Sequence, residues 1–360
     1  MSNTSIRSIV VKIGTSSLTN ADGVIDRVVI ARVAQEVAEL RREGLRVTVV
    51  TSGAIAAGLP ALNLAAGERP SEAVALQAIS SIGQPALLET WRSEFDSHGI
   101  VVGQILLAPH NFGDRSQYLH ARSTLSQLYE YDVVPLINEN DAVTDAEIRY
   151  GDNDHIAALV ANMVEADTLV LLTDTDGVLT ADPNIDPEAS LIEEIREFDE
   201  LAGASIGGAG TARGSGGMAS KLTAAKIAAH SGVRTVIANA HRTGVISDAV
   251  AGSEHVGTVV APRDSTMSAR KLWIGFAMPA IARIVVDNGA RDALSKGGRS
   301  LLAVGIADIE GDFERRDPVE IADPAGDVFA KGLTRTARVD VDSGDVKLVV
   351  HADDLVILDT

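Results

Sequence analysis

Two lysines stand where a chain could hold phosphate. In IVVKIGTSSLT, Lys12 lies at the end of an apolar, β-branched run that opens into Gly14-Thr15-Ser16-Ser17. Open α/β sheets bind ligands at the carboxyl ends of their strands, and a glycine there lets backbone amides approach an anion with no side chain between. The G-x-x-x-x-G-K-[ST] spacing of a P-loop is absent. In GAGTARGSGGMASKLTAA, Gly214, Gly216 and Gly217 precede a helix-patterned stretch with Lys221 in its first turn, which suits a polyphosphate. Taken singly, each also fits a plainer structure: a strand–turn with a solvated lysine, or a glycine-rich surface loop.

Carboxylates and amides gather in two places. Asn138, Glu139, Asn140 and Asp141 follow a strand-like run, and Asp152, Asn153 and Asp154 precede an apolar helical pattern. Such groups can bind an ammonium ion, position lysines or hold a hydrated magnesium ion. They are also common turn and cap residues, and the spacing of an EF-hand is missing. In VVTSGAIAAG, Thr51 or Ser52 could cap a helix whose amides suit a carboxylate or phosphate, or cap it with no ligand at all. Thr173-Asp174-Thr175-Asp176-Gly177 reads as a nucleotide-contacting loop or as a tight Asp-Gly turn. The eight histidines show no H-E-x-x-H spacing, and there is no G-x-S-x-G elbow, so structural zinc and a serine hydrolase are both disfavoured.

The elements around these residues alternate. Strand-like runs at 6–13, 45–50, 100–107, 133–138, 168–173 and 234–238 separate helical patterns at 28–43, 73–98, 118–130, 154–165 and 218–231. The near-continuous apolar strands predict a doubly wound, mostly parallel α/β sheet buried on both faces. After about residue 262 the composition shifts. Short strand-like runs at 282–286, 301–304, 319–322 and 346–350, with turn signals between them, predict a second, smaller β-rich domain. The expected division is 1–262 for the α/β domain, 263–279 for a linker and 280–360 for the β-rich domain. A length of 360 residues agrees with two cores rather than one.

Composition narrows the chemistry further. The chain carries 31 Lys+Arg against 50 Asp+Glu, a formal charge of −19, so phosphate backbones and anionic lipid are poor default partners. It has no cysteine, which removes disulfides, thiolate metal sites and cysteine nucleophiles. No leader pattern or membrane-spanning run is visible, so a cytoplasmic protein is expected.

The order VVKIGTSSLT, VTSGAIAAG, NENDAV, RYGDND, LLTDTDGVLTADP, GSGGMASK resembles the glutamate 5-kinases of the amino acid kinase superfamily over residues 6–262. The tail, with ARIVVDNGARDAL, GRSLLAVGI and GDFERRDPVEI, is similar to the PUA domain that many of them append. The resemblance implies that Lys12 and Lys221 contact the transferring phosphoryl group and that Asp154 orients both. It implies glutamate binding by Ser52, Asp141 and Asn153. It also implies an ATP site lined by Lys12, Thr173, Asp174, Ser215, Gly216, Gly217, Met218, Ala219, Ser220 and Lys221. Ala142, Tyr150 and Ser215 depart from the usual threonine, phenylalanine and threonine, and none of them removes a catalytic group.

The implied reaction takes ATP, with Mg2+, and L-glutamate to γ-glutamyl 5-phosphate, the first step of proline biosynthesis. No dedicated protein metal ligand is assigned. Proline as feedback inhibitor, a hand-off to glutamate 5-phosphate reductase and a homodimer or homotetramer come with the resemblance. Two other readings stay open at this point. One is an amino acid kinase for acetylglutamate, aspartate or carbamate, and the other is an RNA-binding or regulatory PUA protein. Against the latter, residues 280–360 hold 10 Lys+Arg and 16 Asp+Glu, so RNA is not the expected partner.

Overall fold

The computed structural model describes residues 7–143, 153–181, 186, 188–198, 217–264, 266–278 and 280–358. Tyr150, Asp152, Gly214, Ser215 and Gly216, singled out above, lie outside the described residues.

The first compact unit is Met1–Thr266. It begins with β1 (Ser8–Ile13), α1 (Thr15–Leu18), α2 (Arg27–Arg42), β2 (Arg46–Thr51) and α3 (Ala54–Gly58). Next come α4 (Ala73–Asp96), β3 (Val102–Leu107), α5 (His110–Gly113), α6 (Arg115–Glu130), β4 (Val134–Glu139), α7 (Asn153–Met163) and β5 (Thr168–Thr173). The short β6 (Glu194–Ile195), α8 (Met218–His230), β7 (Arg234–Asn239), α9 (Val245–Ala251) and β8 (Thr258–Val260) complete it. The expected helices and strands of this part are present, with small shifts at their ends.

The strands form one sheet in the order β3-β4-β2-β1-β5-β7-β8-β6. From β3 to β7 all neighbours are parallel, and only then does an antiparallel pair, β7 with β8, intervene. Strands β1, β4 and β5 are buried along their whole length, as a sheet covered on both faces requires. The edge strand β3 departs from that expectation, because it has one neighbour and stays half-exposed.

Parity along β1 decides where its lysine goes. Ile9, Val11 and Ile13 join the core with Ile30 and Val37 of α2, Leu87 and Trp91 of α4, and Ile246 of α9. Successive strand side chains point to opposite faces, so Val10 and Lys12 belong to the other side, where α7 packs on β1. Helices α7 and α8 pack together there. Ala157, Ala158 and Ala161 of α7 and Ala224, Ala225 and Ala228 of α8 are all buried, and such small side chains let two helices approach closely.

On the opposite face, α3 meets α4 backbone to backbone. A Cβ on Gly83 would lie 1.9 Å from the Ala54 carbonyl oxygen, and one on Gly58 would lie 2.2 Å from that of Ile79.

The second unit is Met267–Thr360. It contains α10 (Ala269–Leu272), β9 (Ala282–Val286), α11 (Asn288–Ser295), β10 (Leu301–Leu302), β11 (Ile306–Glu310), β12 (Pro318–Ala322), β13 (Val328–Thr334), α12 (Arg338–Asp342) and β14 (Leu348–Ile357). Its strands run in the order β10-β14-β13-β12-β9-β11 around a core that includes Ile284, Phe313, Val319, Ile321 and Val350. The segment expected as a linker reaches into this unit: Ile274 packs with Leu333 and Val356, and Arg270 pairs with Asp354 at 2.7 Å. Strands β11 and β13 were absent from the sequence reading. The first is polar and mostly exposed, and the second is interrupted by Gly332, where a Cβ would lie 2.5 Å from Val350 Cγ1. Among the described residues no helix is long and apolar enough to cross a membrane.

Gly83→Ala should destabilise the first unit by about 2 kcal/mol or more, because the added methyl meets backbone that cannot rotate away. Gly44→Ala, at φ +87° with open space around it, isolates backbone strain alone and should cost on the order of 1 kcal/mol. Thermal unfolding of the two variants checks the difference.

Candidate active site

The sheet order brings four strand ends to one edge: Ile13 of β1 pairs with Thr51 of β2 and Leu172 of β5, and Val50 pairs with Ile137 of β4. Lys12 leaves β1 toward the α7 side and is 2% exposed. Its Nζ lies 2.5 Å from Oδ1 of Asp154, in the first turn of α7. The other oxygen, Oδ2, is 3.2 Å from Nζ of Lys221 on α8 and accepts a hydrogen bond from the Ser220 hydroxyl at 3.3 Å. Asp154 itself is fully buried. Three elements far apart in the chain thus place two cations on one carboxylate. A Cβ at position 14 would lie 3.3 Å from Lys12 Nζ, so glycine keeps the space beside that ammonium clear.

Burial alone would drive Asp154 toward the neutral acid. The charges of Lys12 and Lys221 overcome it and hold the carboxyl well below the usual carboxylate range. Because the folded value is depressed, the stability gained by this pairing is fully present above the ordinary Asp range and is lost only in stronger acid. Among the described residues, two buried ammonium groups thus face one buried carboxylate.

A second network lies at the ends of β2 and β4. Asn153, next to Asp154, donates from Nδ2 to Ser52 Oγ and to Asn138 Oδ1, each at 3.0 Å. The Glu139 amide donates to Asn138 Oδ1 at 2.9 Å and to Asn153 Oδ1 at 3.1 Å. Ser52 follows β2, and its own amide donates to the Ile13 carbonyl at 3.1 Å. Gly53 turns the chain at φ +104°, a left-handed conformation in which a side chain would be strained. Asp141 stands apart from this cluster and accepts a hydrogen bond from Ser80 of α4 at 2.5 Å. Burial pushes its carboxyl up from the ordinary value, while the Ser80 hydroxyl and the charge of Arg69 pull it partly back.

Among the residues expected to serve a nucleotide, Thr173 is buried at the end of β5, with its hydroxyl donating to the exposed Asp174 at 3.2 Å. Asp176 accepts from Asn239 at 2.9 Å, which ties the loop to the end of β7. Gly217 caps α8 in an extended conformation, and Met218, Ala219 and Ser220 form its first turn before Lys221. Ser215 and Gly216 fall outside the described residues.

The sequence reading missed the support supplied by α4. Gln84 accepts from Asn138 Nδ2 at 2.9 Å, and Trp91 Nε1 donates to Thr51 Oγ1 at 3.0 Å. The available signal was a serine and a glutamine on the stripe that otherwise buries Gly83, Leu87, Trp91 and Phe95.

Comparison with known proteins gives the family. A profile of the amino acid kinase family matches residues 7–239, and one of the PUA domain matches residues 282–352. The glutamate 5-kinase of Burkholderia orbicola (strain MC0-3) is 41% identical, with 98% of each chain covered. That of Pelobacter propionicus (strain DSM 2379 / NBRC 103807 / OttBd1) is 40% identical at the same coverage of both chains. Among solved structures, the carbamate kinase of Giardia lamblia bound to AMP-PNP aligns with a TM-score of 0.51 at 18% identity, covering 72% of this chain and 99% of that one. At this identity the likeness shows the fold alone. The chain therefore belongs to the amino acid kinase family, in its glutamate 5-kinase branch, and ends in a PUA domain.

Proposed function

We propose that the chain transfers the γ-phosphoryl group of ATP to the side-chain carboxylate of L-glutamate, and that Lys12, Lys221 and Asp154 form its phosphoryl centre. The observation that carries this reading is the buried Asp154 carboxylate bridging the two lysines at the carboxyl edge of the parallel strands. In the reaction a glutamate oxygen forms a bond to the γ-phosphorus while the bond to the β,γ-bridging oxygen breaks, and ADP leaves with that electron pair. Charge spreads over the phosphoryl oxygens in the transition state, and the two lysine ammonium groups are placed to meet it. The acceptor, with a reference pKa of about 4.3, is already ionised at neutral pH and needs no general base.

Ser52 and Asn153 present a hydroxyl and an amide to the acceptor, and Asp141 presents a carboxylate for its ammonium group. Thr173, Asp174 and the residues from Gly217 to Lys221 serve the nucleotide, a role that extends to Ser215 and Gly216. Mg2+, bound with the ATP phosphates, would supply neutralisation of their charge. The product is a labile acyl phosphate, so a reductase that consumes it promptly belongs to the same reading, as do proline feedback, a homo-oligomer and a cytoplasmic setting.

The direct test is ADP release from Mg-ATP with and without L-glutamate, with hydroxylamine present to trap the acyl phosphate. Glutamate-dependent ADP together with γ-glutamyl hydroxamate is expected. ADP release from folded protein that responds instead to N-acetylglutamate, aspartate or carbamate would overturn the acceptor assignment. Lys221→Ala should lower kcat by roughly 100-fold or more with little change in glutamate KM, since it removes charge that matters most in the transition state. Asp141 must be ionised to pair with an ammonium group, and its carboxyl is shifted upward. The kcat/KM for glutamate should therefore fall as pH drops through a group titrating above the ordinary Asp value, and Asp141→Asn should abolish that limb while raising glutamate KM.

A further inference from the structure

We infer that Ser80 is a positioning residue of the acceptor site, a buried hydroxyl on α4 that fixes the Asp141 carboxylate in the orientation that receives the substrate's ammonium group. The inference rests on the reading of Asp141 given above.

Ser80 is 4% exposed, and its hydroxyl donates to Asp141 Oδ2 at 2.5 Å. Asp141 lies just past the end of β4, in a loop turn closed by the Val143 amide on the Asn140 carbonyl at 3.1 Å. A carboxylate on a loop rotates broadly about its last torsion. A hydrogen bond to one oxygen removes that freedom and leaves Oδ1 without a donor among the described residues. Among the described residues, the charged group that acts on Asp141 is Arg69, on the segment ahead of α4.

The hydroxyl arrives at a fixed point because α4 is fixed. One turn beyond Ser80, Gln84 holds Asn138. Between the two, Gly83 touches the α3 backbone so closely that not even a methyl would fit. The helix cannot roll or slide without losing that contact. Its register against α3, which begins just after Ser52-Gly53, is therefore also the register of Ser80 against Asp141. One helix aligns the hydroxyl–amide side of the acceptor site through Gln84 and its carboxylate side through Ser80.

Steady-state kinetics of Ser80→Ala in the full chain test this. Glutamate KM should rise about ten-fold, the scale of one charge-assisted hydrogen bond, while kcat and the KM for ATP change by less than about two-fold. The acid limb of kcat/KM for glutamate should move to higher pH, because a donor to the charged form has been lost. Ser80→Thr keeps the hydroxyl and should restore both values. Alanine is the better helix former, so the variant should fold, and thermal unfolding verifies it. An unchanged glutamate KM and acid limb in Ser80→Ala, or an equal loss on the ATP side, would overturn the inference. If Asp141→Asn also leaves glutamate KM and the limb unmoved, the reading of Asp141 falls and takes the inference with it. If Asp141→Asn moves both while Ser80→Ala moves neither, the inference alone falls.

Discussion

A carboxylate with no exposed surface between two ammonium groups is the constraint on which the first unit depends. Removing any of these charges from water costs several kcal/mol, and the attraction among them compensates only when the geometry is close. That demands rigid carriers. Lys12 is supplied by β1, paired on both sides within the parallel sheet. Asp154 and Lys221 come from the first turns of α7 and α8, two alanine-rich helices packed against each other. A loop in any of these roles would leave a buried charge unpaired for part of the time. The doubly wound sheet is thus the framework that allows three distant residues to share one dry volume.

The neighbouring polar network obeys a different rule. Ser52, Asn138 and Asn153 are neutral, and their order comes from saturating hydrogen bonds rather than from charge. Each Asn138 amide atom is engaged, Nδ2 with Gln84 and Oδ1 with the Asn153 amide and the Glu139 N–H. A buried amide satisfied in this way has one orientation available to it. Asn153 then joins the two systems, since it stands beside Asp154 in the same turn and contacts Ser52 across the sheet edge. Any shift of α7 moves both the charge bridge and the polar network together.

Much of this was legible in the residues. The apolar runs of β1, β4 and β5 announced a sheet covered on both faces, and the small or polar residues after β1, β2 and β4 marked the ligand edge. Parity within IVVKI even separates Lys12 from the isoleucines that enter the core. What the sequence did not show depended on packing between distant elements. The position of Ser80 and Gln84 on the buried stripe of α4 hints that they are not solvated, but nothing local names their partners, because Asn138 lies beyond β3, α5 and α6 and Asp141 lies beyond β4 as well. The same holds for Gly58 and Gly83, whose close approach exists only once α3 and α4 are docked. In the second unit, β11 and β13 lacked the continuous apolar pattern that marks a strand, for one is largely exposed and the other is broken by a glycine.

The electrostatics of the triad also bear on the acceptor proposed above. Asp154 touches both lysines, yet its carboxyl is held so far below the ordinary range that it is a very weak base, with each oxygen already facing a cation. Such a group cannot take a proton from an alcohol or amine at neutral pH. As the proposed phosphoryl centre, the triad suits an acceptor that arrives with its attacking oxygen already negative. A carboxylate meets that condition through its own acidity, whereas an ordinary hydroxyl does not. Held between the two lysines, Asp154 is therefore no candidate for a catalytic base, and the acceptor proposed above asks for none.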